Sequence, residues 1–295
     1  MRHQFSLMLM LVGLLLITVA CADIPSAHLL ASQPMSFAPD ALKATPTALP
    51  PPKTQATPAP STRVPAGLID ALFYHGSESH KEVALTFDDG PDITYTPEIL
   101  AILSQYNLRA TFFNIGQHVL AYPQITKAVY AAGHTIGNHS WNHPQLTALG
   151  PAQVLWQMEY TNQIIQQTIG IRPTLMRPPY GAINHMAHIQ IENAGLLPIM
   201  WNVDSEDWKL QGVSSIVQTT LRETRNGSII LMHDGGGNRT QTVAALPLII
   251  QALEQRGYTI VPMQQLLDHY NDGANNTATP TVTPTVMPDV KAVGD

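Results

Sequence analysis

The stretch Val83-Ala84-Leu85-Thr86-Phe87-Asp88-Asp89-Gly90-Pro91 decides how this chain is read. Its apolar and β-branched part, residues 83–87, is too short for a stable helix and is cut off by Gly90 and Pro91. That pattern predicts a buried β-strand. Two carboxylates stand where the strand ends. Consecutive side chains of extended backbone point to opposite sides, so Asp88 and Asp89 are expected to splay apart there. One of them could ligate a metal while its neighbour stands beside it as a base. Taken alone, the same letters describe an Asp-Gly-Pro turn with two solvated carboxylates, and such turns are common.

Working outward, short apolar runs recur at residues 110–114, 134–138, 174–177, 197–203, 228–233 and 258–261. Segments with helical spacing separate them. Thr96-Pro97-Glu98 predicts a helix start, with a capping hydroxyl and Pro at the first helical position. Gly133 and Gly170 fall just past two further helical stretches, where a left-handed residue is wanted. Residues 151–169 carry Val154, Met158, Ile165 and Ile169 near helical spacing. Seven strand–helix repeats predict an α/β fold with a parallel sheet. Closure gives a barrel one unit short of the eight-fold form, and the open doubly wound sheet is the alternative. Periodicity does not choose between them.

The reactive side chains collect at strand ends. Asp88 and Asp89 follow the first strand, His139 and His143 the third, Arg177 closes the fourth, Asp204 and Asp207 follow the fifth, and His233 ends the sixth. In a βα architecture these positions share one rim, where active sites are built. In His139-Ser140-Trp141-Asn142-His143, a local helical turn would place both imidazoles on one face, within reach of one ion. Two His and one Asp leave a tetrahedral ion one open position for water. His118, His185 and His188 read as ordinary structural or exposed histidines. Arg177-Pro178-Pro179-Tyr180 fixes a guanidinium on stiff backbone, where a two-pronged grip could orient Asp88. His233 at the end of a buried strand, with Asp204 on the adjoining one, suggests an Asp–His pair in which the carboxylate favours the imidazolium a general acid requires. Trp208 could wall a sugar or acetyl pocket, although core packing explains it equally well.

Composition narrows the partners. The 295-residue chain has a net charge of −6, so no basic field exists to hold a phosphate backbone and nucleic acid is not expected. With one cysteine, Cys21, no intrachain disulfide or Cys-rich metal site can form. Any metal falls to the carboxylates and the 12 His.

Taken in order, Thr86-Phe87-Asp88-Asp89, His139-Ser140-x-x-His143, Arg177-Pro178-Pro179-Tyr180, Asp204-Ser205-Glu206-Asp207-Trp208 and Leu231-Met232-His233 resemble the five motifs of the polysaccharide deacetylase family. That family is also called the NodB-homology or carbohydrate esterase family 4 group. The resemblance implies a distorted (β/α)7 barrel. It implies Asp89, His139 and His143 as ligands of a divalent metal, usually zinc, although a His/His/Asp set also accepts cobalt or nickel. It further implies Asp88 as general base, Arg177 orienting it, His233 as general acid tuned by Asp204, and the Tyr180 N–H as oxyanion donor. The expected substrate is an acetylated polysaccharide or oligosaccharide, handled by a monomer that releases acetate.

The two ends have a different character. Arg2 and His3 precede an apolar run over residues 5–20, which reads as an export signal ending near residue 22. Ala20-Cys21-Ala22 fits ordinary cleavage, whereas Thr18-Val19-Ala20-Cys21 resembles a lipobox that would lipidate Cys21 and tether the protein to a membrane. Both place it outside the cytoplasm. Residues 23–66 and 271–295 are Pro- and Thr-rich and are expected to be disordered spacer and tail. The folded domain is expected over residues 67–270.

Overall fold

Hydrophobic alternation along the first strand builds the fold. In β1 (Glu82–Asp88), Val83, Leu85 and Phe87 pack into one buried cluster and Ala84 into another. The strand therefore has two covered faces, as a parallel sheet requires. The computed structural model describes residues 72–274. The export signal, Cys21, nearly all of the spacer and most of the C-terminal tail lie outside the described residues. No described helix is long and apolar enough to cross a membrane.

After β1 the chain forms α1 (Tyr95–Gln105), β2 (Thr111–Asn114), α2 (Gly116–Ala121), α3 (Pro123–Ala131) and β3 (Thr135–Asn138). It continues through α4 (Pro151–Ile169), β4 (Leu175–Met176), α5 (His185–Asn193), β5 (Leu197–Pro198) and β6 (Val203–Asp204). It ends with α6 (Val213–Glu223), β7 (Ser228–His233), α7 (Thr240–Gln255), β8 (Thr259–Ile260) and α8 (Met263–Ala274). The strands lie in the order β5-β4-β3-β2-β1-β7-β6, all parallel, with β8 against the start of β1. The two ends of that path, β5 and β6, are consecutive in the chain, so the sheet curls round on itself. The fold is the distorted (β/α)7 barrel.

Sequence reasoning expected one strand over residues 197–203, and the structure divides it. The reason is Arg177, whose Nε donates to the Ile199 carbonyl and whose Nη2 donates to that of Met200, at 3.1 and 3.0 Å. Those carbonyls turn towards a buried guanidinium instead of continuing a ladder. The first helix also starts differently. Asp92 Oδ1 accepts from the N–H groups of Thr94 and Tyr95, while the Thr96 hydroxyl is buried and donates to Asp234. Gly133 and Gly170 are left-handed, with φ of 85° and 80°, as helix ends want.

The outer cluster packs the helices on the sheet, including Ile99 and Leu103 of α1, Ile164 and Ile165 of α4, and Leu246, Ile249, Ile250 and Leu253 of α7. The other face gathers Ala84, Phe113, Leu175, Leu197 and Ile229 from five strands, and α8 closes it with Met263, Leu266 and Leu267. Close packing there leaves no room for one methyl group. A Cβ at Gly137 in β3 would stand 2.4 Å from the buried Phe113 ring and 3.3 Å from the Leu175 carbonyl. Gly137→Ala is therefore expected to destabilise the fold by about 1–3 kcal/mol. Denaturant unfolding checks this, and an unchanged midpoint would mean that the Phe113 ring yields.

Candidate active site

Strand parity aims the first carboxylate. Asp88 has the parity of Ala84 and Thr86, so it faces the barrel interior at the C-terminal end of β1 and is 3% exposed. The strand stops there. Asp89 takes φ 72°, a left-handed conformation that bends its carboxylate back to the same cavity instead of letting it splay away. Residues 139–143 are likewise not a helical turn. They form a loop with φ of 64° at Ser140 and 58° at His143, closed by the His143 N–H donating to Ser140 Oγ at 3.0 Å. The i, i+4 spacing thus works through a tight loop.

The outcome is a three-donor cluster. Asp89 Oδ1 lies 3.4 Å from His139 Nε2 and 3.4 Å from His143 Nε2. Asp89 Oδ1 is buried and has no hydrogen-bond partner. A tetrahedral ion with bonds of ~2.0–2.1 Å holds its donors roughly 3.3–3.4 Å apart, so the residues present fit a divalent cation. The surroundings set the rings. His139 Nδ1 bonds the Arg177 carbonyl at 2.7 Å, which fixes the ring with Nε2 towards Asp89. Burial and the neighbouring His139 push His143 down to about 4, which keeps its lone pair available. Burial would raise the Asp89 carboxyl, but the close approach and charge of His139, then the charges of His233 and His143, hold it well below the usual carboxylate range.

Beside the cluster stands Asp88. Its Oδ1 accepts from Arg177 Nη1 at 2.9 Å, and its Oδ2 lies 3.8 Å from His139 Nε2. Arg177 is wholly buried, stacked 4.4 Å from the Phe113 ring, and its Nη1 also reaches Thr86 Oγ1 at 2.7 Å. The expected two-pronged grip is thus a single bond, because Nε and Nη2 are taken by the Ile199 and Met200 carbonyls and only Nη1 holds Asp88 Oδ1.

The partner of His233 differs from the expected one. The register places His233 beside Asp88 but Asp204 beside Leu231, two residues lower on β7. Asp204 Oδ1 accepts from the Glu206 N–H at 2.8 Å, a turn-forming contact. Asp207, three residues on, reaches back instead. Its Oδ1 is 2.7 Å from His233 Nδ1, and its Oδ2 accepts from the His233 N–H and the Thr242 hydroxyl at 2.9 and 2.8 Å. Burial lowers the His233 pKa, but the charge and hydrogen bond of Asp207, with Asp89 and Asp88 behind them, raise it to about 9. Asp204 is therefore a loop-shaping residue and Asp207 the one paired with the imidazole.

Tyr180 sits on the rim with φ 60°, strained backbone for a bulky residue, and its ring meets that of His143 edge-on at 4.5 Å. Trp208 is partly exposed on the turn after β6, beneath Lys209.

The sequence matches the family described as polysaccharide deacetylase over residues 75–199. A peptidoglycan-N-acetylglucosamine deacetylase of Bacillus cereus is 39% identical over 191 residues, covering 64% of this chain and 89% of that protein. The chain belongs to the polysaccharide deacetylase family. Another relative, the peptidoglycan-N-acetylglucosamine deacetylase PgdA of Listeria monocytogenes, is 38% identical over 190 residues, and the match spans only 40% of its length. Among solved structures, the Bc1960 peptidoglycan N-acetylglucosamine deacetylase superposes with a TM-score of 0.65 at 35% identity, covering 66% of this chain and 92% of that one.

In this polysaccharide deacetylase family member, two contributors to the site escaped sequence reasoning. Buried Asp234, next to His233, accepts from Thr96 at 2.6 Å, and burial, reinforced by Asp89 and Asp88, raises it to about 7. After it, Gly235 and Gly236 let the loop lie on Asp89. A Cβ on Gly236 would fall 2.4 Å from Asp89 Oδ2, and one on Gly235 would fall 2.3 Å from the Asp89 carbonyl. The signal was present in the run Gly235-Gly236-Gly237 directly after a strand, which marks close backbone approach.

Proposed function

We propose that the chain is a divalent-metal-dependent hydrolase that removes N-acetyl groups from N-acetylglucosamine units of an envelope polysaccharide, releasing acetate. One observation carries the reading. A buried, unpartnered carboxylate oxygen lies 3.4 Å from each of two imidazole nitrogens, and a second carboxylate held by a buried Arg stands beside them. The Bacillus cereus relative, matched over 89% of its length and named for the same reaction, supports it.

In this reading Asp89, His139 and His143 hold the ion, zinc first, with cobalt and nickel also suited to the donor set. When bound, such an ion acidifies water and polarises a carbonyl. Asp88 Oδ2 accepts the proton of the water that attacks the acetyl carbon, and Arg177 holds Asp88 in place through Oδ1. Nδ1 of His233 is taken by Asp207, so Nε2 delivers a proton to the departing nitrogen. The C–N bond breaks to leave acetate and an amine. The left-handed turn at Tyr180 offers its backbone N–H to the oxyanion. Trp208 walls the acetyl or sugar pocket, and Asp204 shapes the loop that carries Asp207.

Purified protein is tested with N-acetylglucosamine oligomers, peptidoglycan and O-acetylated xylan, with and without Zn2+. Zinc-dependent acetate release from the N-acetylated substrates is expected. Release from xylan alone would make it an O-acetyl esterase, and none from any would leave a glycan-binding module. The apolar start, Cys21 and the Pro-rich spacer support an extracytoplasmic protein, lipid-anchored or secreted.

The His233–Asp207 pair supplies a pH prediction. The acid must be protonated, and a raised pKa keeps the imidazolium present up to about 9. Asp207→Asn removes the leading cause of that rise and leaves burial to lower it. The basic limb of the kcat profile is therefore expected to move to lower pH by one unit or more, roughly 1.4 kcal/mol per unit. A limb that stays in place would dissociate Asp207 from the acid.

A further inference from the structure

Outside the rim, the described residues hold one further group of imidazoles and carboxylate whose donor atoms lie within 4.8 Å of one another: His80, Glu82 and His269. The arrangement follows from local structure. His80 lies on the bend that leads into β1 and Glu82 is the first residue of that strand, while Lys81 between them covers the Tyr258 ring at 5.2 Å. On α8, Gln265 and His269 are one turn apart and face the start of β1. Gln265 Nε2 donates to Glu82 Oε1 at 2.9 Å, and His269 Nδ1 bonds Glu82 Oε2 at 2.7 Å. The His80 ring lies on that of His269, centroids 4.6 Å apart, and its nitrogens have no hydrogen-bond partner among the described residues.

We propose that His80, Glu82 and His269 form a second divalent-metal site, which clamps α8 to the first strand. Two imidazoles and one carboxylate repeat the donor set of the rim cluster, a set that suits zinc, cobalt or nickel better than calcium or magnesium. All three residues are partly exposed, so an ion can enter from solvent. An ion bonds in the plane of an imidazole ring. Binding therefore replaces the His269–Glu82 hydrogen bond and turns the His80 ring out of its stack. Glu82 and Asp88 are the two ends of β1, roughly 20 Å apart at the rise of a strand, so this ion takes no part in chemistry at the rim. Its effect is on stability. A ligand bound only by the folded chain raises the melting temperature by mass action, and α8 seals the inner cluster with Met263, Leu266 and Leu267.

The test counts ions, so it is independent of the activity proposed above. Untagged full-length protein is stripped with a chelator and titrated calorimetrically with Zn2+. The wild type is expected to bind two equivalents. His139→Ala, which damages the rim cluster, is expected to keep one, and Zn2+ should still raise its melting temperature. The double variant His80→Ala/His269→Ala is expected to lose one equivalent and keep acetate release within twofold at saturating Zn2+. Melting curves of the metal-free proteins establish that each variant is folded. The proposal is overturned if His139→Ala binds no Zn2+, or if the double variant still binds two equivalents. A hydrogen-bonded clasp without an ion would give the first of these results.

Discussion

Replacing His139 with Ala is expected to abolish zinc-dependent acetate release and to leave the barrel folded. His139 has two bonds to lose. Its Nε2 faces Asp89 Oδ1 at 3.4 Å, so the change removes one of three donors from the rim cluster. Its Nδ1 bonds the Arg177 carbonyl, which is left without that partner at a cost of about 1–3 kcal/mol. Typical domains have roughly 5–15 kcal/mol of stability, so the fold is expected to survive. The sheet around it is held independently, since the His139 N–H donates to the Asn114 carbonyl and the Arg177 N–H to that of Asn138, both through backbone. Three measurements decide the matter: acetate release across a Zn2+ titration, bound metal after gel filtration, and circular dichroism melting. Full activity would refute His139 as a ligand. Lost activity with lost structure would remove the inference from this variant and shift the burden to His143→Ala, whose side chain is more exposed.

The sequence disclosed the site more fully than the backbone that builds it. Chemistry-bearing residues stood out because strand ends could be located from apolar runs, and a parallel βα fold puts all such ends on one rim. That logic placed Asp88, Asp89, His139, His143, Arg177 and His233 together without any coordinates. It failed where the chain departs from regular structure. The expected helical turn at residues 139–143 is a loop with two left-handed residues. Side-chain letters carry no sign of positive φ unless the residue is Gly or Asn. The Asp204 assignment failed for a related reason. Choosing between Asp204 and Asp207 needs the β6–β7 register and the turn at Glu206, whose φ is 55°. Neither is readable from spacing. The split at residues 199–202 was hidden too, because it depends on Arg177, more than twenty positions away in sequence, claiming two carbonyls. Of the seven left-handed residues other than glycine among those described, Asp89, Ser140, His143, Tyr180 and Glu206 lie inside the motifs, while Asn107 and Leu210 lie outside them. Strain of this kind persists only where surrounding structure over-determines it, and here it turns donors towards one cavity.

Asp88→Asn separates the base from the ligands, because it is expected to spare the metal and stop the reaction. Asn has nearly the same shape and keeps an oxygen to accept from Arg177 Nη1, so that bond can stay in place. Arg177 also retains Thr86 Oγ1, the Ile199 carbonyl and the Met200 carbonyl as acceptors. Loss of the buried counter-charge costs stability, at most about the 3–5 kcal/mol seen when one partner of a buried pair is removed. The three donors of the cluster are untouched, so Zn2+ stoichiometry should match the wild type. Turnover should not. An amide cannot take a proton from water, and losing a positioned general base costs about 10²–10⁴ in kcat. The residues proposed to contact substrate, Tyr180 and Trp208, are unchanged, so KM is expected to stay within a few-fold. The pairing of wild-type metal content with a collapsed kcat is the signature of a base, whereas a rim-ligand variant loses one metal equivalent together with kcat. Unchanged kcat would remove Asp88 from that role, and loss of the metal would move it into the coordination sphere with Asp89.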